Sequence, residues 1–332
     1  MPRFILLMLL CLAALGCNAG DQLDEIMDAA DPERRPIDVA RTGVNAFANE
    51  PQFGSVCQQY REIREVLGLR FVRVLFGWND AVQPSPDAEP AWGFYDEIVR
   101  CLPADVDALV VVAGLPSWMS SPAVWQEGNP RTAFVERWFR RVLRRYGGES
   151  RIIGWQVWNE PNMAANPENV LLGISADPAL YVEMLGRAYS LAKDIAPGKL
   201  VLNAATTAIA QDYPASLDYN EAMQAAGAAA FVDVWAIHYY GQQFENVLRG
   251  AGDFLNGLGR PIWITESGAR GANAQLAYVE ETWPYLRERV PAIDRIYYYS
   301  FTSAEAGGYG LRTPDPAAPY SDLYIYLRDR PS

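Results

Sequence analysis

The chain has 332 residues, 50% of them hydrophobic, and a formal net charge of −12 at pH 7. That length and composition can bury one large core and predict a single domain. The acidic balance disfavours nucleic acid and anionic lipid faces, both of which need undiluted Lys and Arg, and it slightly favours a neutral ligand over a polyanion.

In chain order, the first element is an address. Arg3 precedes an apolar run over residues 4–15, too short to span a bilayer as a permanent helix and suited to a secretory core region. The run ends in Ala14-Leu15-Gly16-Cys17, which resembles a bacterial lipobox with Cys17 as the lipidated first residue of the mature protein. Cleavage without lipid is the alternative, because Ala14 stands where such boxes usually carry Leu. Residues 1–16 then form the signal peptide. Residues 17–38, polar and acidic with Pro32 and Pro36, suit a tether, although a short helix over 23–30 is a competing reading. The expected location is the cell envelope, periplasmic or at the surface, with a monomer held to the membrane only by its lipid.

From residue 39 to 332, apolar strand-like runs alternate with amphipathic stretches. Strands are predicted over 42–47, 71–76, 109–114, 152–158, 200–204, 232–238, 262–266 and 295–300. Between them, residues 132–146 carry Phe134, Val135, Trp138, Phe139, Val142 and Leu143 on one stripe, bounded by Pro130 and Gly147. Residues 178–195 repeat the pattern through Tyr181, Met184, Leu185, Ala188 and Ala192. Eight strands alternating with helices, without a glycine-rich phosphate turn after the first, predict a single α/β domain closed as a (β/α)8 TIM barrel. Under that map Cys57 opens one barrel helix and Cys101 closes the next. Neighbouring parallel helices would hold them at opposite ends, beyond the roughly 7 Å that a disulfide tolerates, so a bridge is not expected.

A barrel places its chemistry where the strands end at their C-termini. The fourth run ends abruptly in Asn159-Glu160-Pro161, and the seventh in Glu266-Ser267-Gly268. A carboxyl group at such a strand end is partly desolvated, which is the condition a general acid requires. One strand-end glutamate is commonly a structural ion pair. Two facing one mouth match the pair that glycoside hydrolysis needs, one to protonate the leaving oxygen and one to meet the oxocarbenium-like centre.

Trp158-Asn159-Glu160-Pro161 and Thr265-Glu266-Ser267-Gly268 resemble the acid/base and nucleophile motifs of the clan of retaining (β/α)8 glycoside hydrolases that includes families 5 and 39. The resemblance spans the chain after the tether. It implies double displacement at a β-glycosidic bond in a poly- or oligosaccharide, with Glu160 as acid/base, Glu266 as nucleophile and the two carboxyl groups about 5 to 5.5 Å apart. It further implies that His238 and Tyr240, two apart at the end of strand six, reach the substrate and the nucleophile. A satisfied core histidine is the bland alternative for His238. Arg73 matches the clan's strand-two arginine beside the nucleophile, and Asn159 the asparagine that holds the sugar 2-hydroxyl. An arginine flanked by Phe71, Val72, Val74 and Leu75 would in any case be costly to bury without a carboxylate. Trp78, Trp118 and Tyr299 offer flat rings for a sugar face, with ordinary core packing as the alternative for each Trp. Strand three's Pro116-Ser117-Trp118 and strand eight's Tyr299-Ser300-Phe301 look closer to family 39, whereas the strand-eight Trp and strand-three His usual in family 5 are missing.

No cofactor or metal is expected, since one His and no Cys cluster leave no evident catalytic metal set, and no Gly-x-Ser-x-Gly elbow occurs. Gly268-Ala269-Arg270-Gly271 and Gly307-Gly308-Tyr309-Gly310 read as turns. Endo action in an open cleft is preferred. The alternatives are a non-catalytic glycan-binding lipoprotein and a transglycosylase using the same two glutamates.

Overall fold

The protein is described by a computed structural model over residues 32–305 and 307–331; the export segment, Cys17 and most of the tether lie outside the described residues. Eight strands follow in order: β1 Thr42–Asn45, β2 Phe71–Gly77, β3 Asp107–Ala113, β4 Ile152–Val157, β5 Leu200–Asn203, β6 Trp235–His238, β7 Ile262–Ser267 and β8 Ile293–Tyr298. All neighbours are parallel, in the order β5-β4-β3-β2-β1-β8-β7-β6. The seam between β5 and β6 is closed by a parallel bridge between Leu202 and Val234, and by Asn203, whose side chain bonds the backbone of Ala236 in both directions. The chain is therefore a (β/α)8 barrel.

Period-two alternation sorts each strand into two cores. On β2, Val72, Val74 and Phe76 face the helices and are fully buried, while Phe71, Arg73 and Leu75 face the lumen. The lower lumen is plugged by Leu109, Leu202, Val234, Ala236, Trp263 and Tyr297, against which Phe71 packs. Arg295 adds a cation there, its guanidinium carbon 3.6 Å from the Phe71 ring centre and 4.3 Å from that of Trp263. Above the plug the lumen turns polar, and the mouth opens over that polar layer.

The outer helices bury the stripe their sequence dictates. Asn129 caps the N-terminus of the helix opening at Pro130–Phe134, and the helix runs on through a π turn at Val135–Phe139 to Arg140–Tyr146. Phe134, Val135, Trp138, Phe139, Val142 and Leu143 all lie in the core. The helix Pro178–Ile195 buries Tyr181, Met184, Leu185, Ala188 and Ala192. Among the described residues no helix is long and apolar enough to cross a membrane.

One expectation is overturned. Cys57 and Cys101 form a disulfide with their Cα atoms 4.6 Å apart. Each does sit at the end of its helix, Val56–Arg61 and Gly93–Cys101. The error lay in treating the ring of helices as uniform: the second helix is short and starts only after a long loop from β2, and it packs directly against the first.

Candidate active site

The turn after β4 is held in a conformation that its residues rarely adopt. Trp158 has φ 77° and Glu160 φ 44°, both in the left-handed region and neither a glycine. Such backbone costs about 1 to 3 kcal/mol per residue and persists only where the surroundings over-determine it. Here they do. The Trp158 amide donates to Val112 O at 2.9 Å and the Glu160 amide to Ala205 O at 2.8 Å, pinning the turn to β3 on one side and to the segment just after β5 on the other. The Trp158 indole donates to Asn169 Oδ1, and Asn169 Nδ2 in turn donates to Glu160 O, each at 2.8 Å. The Glu160 side chain is left 22% exposed at the lumen mouth.

Glu266 arrives from the opposite wall. A register shift between Ile237 and His238 aligns His238 with Glu266 across the β6–β7 ladder, so the bulge turns the histidine onto the carboxylate's level. Arg73 Nη1 lies 2.6 Å from Glu266 Oε1, and the Tyr240 hydroxyl donates to Oε2 at 2.9 Å. The imidazole of His238, fully buried, sits between the two acids: Nδ1 is 3.1 Å from Glu160 Oε1 and Nε2 is 3.4 Å from Glu266 Oε1, the latter without hydrogen-bond geometry. One carboxylate oxygen of Glu160 and one of Glu266 fall within 4.8 Å of each other.

Arg73 is the hub of the polar layer beneath. Its Nε donates to Gln156 Oε1 at 2.8 Å, Nη1 also to Asn45 Oδ1 at 2.7 Å, and Nη2 to Asn159 Oδ1 at 2.8 Å. Asn45 is itself tied to the backbone of Thr265 and Tyr298, and Gln156 to Asn203 O. Burial pushes the Glu266 carboxyl up, but the charges of His238 and Arg73 and the hydrogen bonds from Arg73 and Tyr240 outweigh it, and the group is held below its ordinary value. Burial and the facing Glu266 hold the Tyr240 phenol well above its usual range, so it remains a donor.

This wiring carries a pH prediction. The Tyr240→Phe variant loses a hydrogen bond that favours ionised Glu266, so the Glu266 value rises and less of the group is ionised at low pH. The acidic limb of the kcat/KM profile should move to higher pH by roughly 1 unit, the shift expected from losing one hydrogen bond to a charged group. A profile with an unmoved acidic limb contradicts this account of how Glu266 is kept charged.

Of these groups, Arg73, Asn159, Glu160 and Glu266 line a cavity of about 460 Å³ with Phe47, Leu75, Trp78, Val111, Glu168 and Tyr299 among others, whereas His238 and Tyr240 act on it through the two acids they touch. Tyr299 meets Phe47, Tyr240 and Tyr309 edge-on. Trp78 contributes to the wall yet is fully buried, donating its indole N–H to Gln83 and stacking at 6.1 Å on Trp138. Trp118 stands behind Trp78, edge-on at 5.2 Å, and is not part of the lining. Glu160, His238 and Glu266 bring three potential metal ligands together, but the Arg73 charge already on Glu266 opposes a second cation there. Sequence reasoning missed Asn45, Gln156 and Glu168. The first two carried a readable signal, a polar residue inside an apolar run; Glu168, an acid in the first turn of a short helix, carried none.

A family model described as glycosyl hydrolase catalytic core matches residues 122–310. No curated protein matches the sequence. Among solved structures, a family 39 glycoside hydrolase from Bacteroides cellulosilyticus WH2 superposes with TM-score 0.63 at 17% identity, over 89% of this chain and 63% of that one. A monomeric β-xylosidase from Caulobacter crescentus CB15 gives 0.61 at 19% identity, over 89% and 68% of the two chains. A β-glucosidase from Thermotoga maritima gives 0.59 at 14%, over 88% and 98%. At these identities the likeness establishes the shared barrel. The chain spans under two thirds of the Bacteroides protein's length.

Proposed function

The chain belongs to the glycosyl hydrolase catalytic core family, and we propose that this member cleaves β-glycosidic bonds in a poly- or oligosaccharide with retention of configuration. The observation that carries the proposal is the short gap between the oxygens of Glu160 and Glu266, within 4.8 Å. Carboxyl groups of a retaining pair stand about 5 to 5.5 Å apart and those of an inverting pair about 6.5 to 9.5 Å to admit a water, so a pair whose facing oxygens come this close favours retention.

In this reading Glu160 gives its proton to the glycosidic oxygen as a Glu266 oxygen bonds to the anomeric carbon and the leaving sugar departs. Water then attacks the same carbon, Glu160 takes its proton, and the Glu266 ester breaks. His238 supports both roles. The ring lies between the two acids, with Nδ1 3.1 Å from Glu160 Oε1 and Nε2 3.4 Å from Glu266 Oε1, so it holds the Glu160 carboxyl in place and, when protonated, sets a positive charge beside Glu266. Because Arg73 occupies Asn159 Oδ1, the Asn159 amide offers its N–H groups to the sugar 2-hydroxyl, a contact that strengthens in the transition state. A transglycosylase would use the same steps with a sugar in place of water. The test is proton NMR of the first product from a β-linked substrate: the β anomer should appear first and mutarotate later. An α anomer appearing first rejects the double displacement.

The export and lipid anchor read from residues 1–17 belong to the same proposal. The Cys57–Cys101 disulfide supports it, since such bonds persist in oxidising compartments. Expressed in a bacterium, the protein should sediment with membranes and the Cys17→Ser variant should not; a wild-type chain found wholly in the soluble fraction refutes the anchor.

A further inference from the structure

The cavity holds a third acid that the proposed mechanism leaves idle. Glu168 lies in the first turn of the helix Pro167–Leu172, whose cap Asn166 accepts from the Glu168 amide at 2.9 Å. The next residue, Asn169, bonds Glu160 O, so Glu168 is mounted on the same rigid turn that presents Glu160. Glu168 lines the cavity, whose wall is apolar on the β2 and β3 side through Leu75, Trp78, Val111 and Ala113. Among the described residues it has no ion-pair partner. Burial raises its carboxyl value, with the Leu115 amide acting in the opposite direction.

The charge inventory of the cavity is one-sided. Among the described residues, Glu160, Glu168 and Glu266 line it against one lining cation, Arg73, while the His238 ring lies fully buried between Glu160 and Glu266 and does not face the space. Four of the five guanidinium N–H donors of Arg73 are taken by Gln156, Asn45, Glu266 and Asn159, and its side chain is only 2% exposed. Among the described residues lining the cavity, no positive group is therefore exposed to receive an anionic sugar. A carboxylate without a cation does suit sugar hydroxyls, which donate to it without adding charge.

Resting on the hydrolase reading above, we propose that Glu168 is a specificity-determining residue that accepts hydrogen bonds from the hydroxyls of a neutral pyranose, and that this cavity rejects uronic acids. A uronate would bring a fourth carboxylate into a partly desolvated space with no counter-ion, and like charges so placed exclude a ligand strongly. The acidity of the whole chain adds to the same field.

The experiment compares kcat/KM on matched 4-nitrophenyl β-glycosides, mono- and disaccharide, neutral and uronic, for the wild type, Glu168→Gln and Glu168→Ala. The wild type should prefer its best neutral substrate over the corresponding uronide by about 100-fold or more. Both variants should raise KM for the neutral substrate about tenfold while kcat falls less than about threefold, as expected for a lost hydrogen bond to a charged acceptor. Removing the charge should also narrow the neutral-to-uronide ratio about tenfold. A uronide turned over as well as the neutral sugar, or an unchanged KM and ratio in both variants, overturns the inference while leaving the hydrolase reading intact. Failure of the wild type to cleave any member overturns both.

Discussion

Replacing Glu266 by Gln should lower kcat by about 10⁴-fold or more, because an amide cannot form and release the glycosyl ester on which both steps depend. The substitution keeps the shape of the side chain. Arg73 Nη1 can still donate to the Gln oxygen, and Asn45, Gln156 and Asn159 still hold the guanidinium in place. The cost to the fold comes from leaving Arg73 buried without its counter-charge, of order 3 kcal/mol by analogy with broken buried pairs. Stability and turnover must therefore be measured on the same sample, by thermal melting and by product release. A folded variant that binds the glycan and does not turn it over is the expected result. The finding that would reject the assignment is a folded Glu266→Gln variant with more than about a tenth of wild-type kcat, since double displacement cannot proceed at that rate without its nucleophile. A non-catalytic glycan binder, by contrast, would show no turnover in the wild type to lose.

Much of the frame was legible because the lumen and the helix ring impose different periods. Each of the eight strands overlaps an apolar run that predicted it, with ends displaced by a few residues, and both catalytic candidates stand where those runs turn polar. The start of β6 differed: residues 232–234 read as strand, yet only Val234 bridges to β5, and Asp233 instead accepts from Lys193 Nζ and the Val201 amide. The polar layer was harder to see. Asn45 and Gln156 serve Arg73, and Arg73 serves Glu266, so their value depends on three strands meeting at one height in the lumen, which spacing along the chain does not encode. The same holds for Cys57 and Cys101, whose approach is set by how two unequal helices pack. Trp78 and Trp118 show the converse limit. A tryptophan beside a strand end is equally compatible with a sugar platform and with a stacked core, and here the Trp78, Trp138 and Trp92 rings form one near-parallel stack beneath the cavity wall.

Glu160 should separate itself from Glu266 by a leaving-group test. In Glu160→Ala, departure of a sugar has no proton donor, and kcat/KM on a natural glycan should fall by about 10² to 10⁴-fold, the range of general acid catalysis. A 2,4-dinitrophenyl glycoside needs no such help, so Glu266 should still be glycosylated at a near-normal rate. The second step then lacks its base. The ester should accumulate, giving a burst of one dinitrophenolate per enzyme followed by slow turnover. Azide, which needs no deprotonation, fits the space left by the missing side chain and should restore turnover as the β-glycosyl azide, because it attacks from the face Glu160 had occupied. The geometry makes this test clean. Glu160 O is held by Asn169 and its amide by Ala205, so truncating the side chain leaves the turn fastened. His238 would lose its Nδ1 partner but keep its place beside Glu266. An equal loss on both kinds of substrate, with no burst and no azide rescue, would mean that Glu160 only shapes the site, and the proton would have to come from elsewhere.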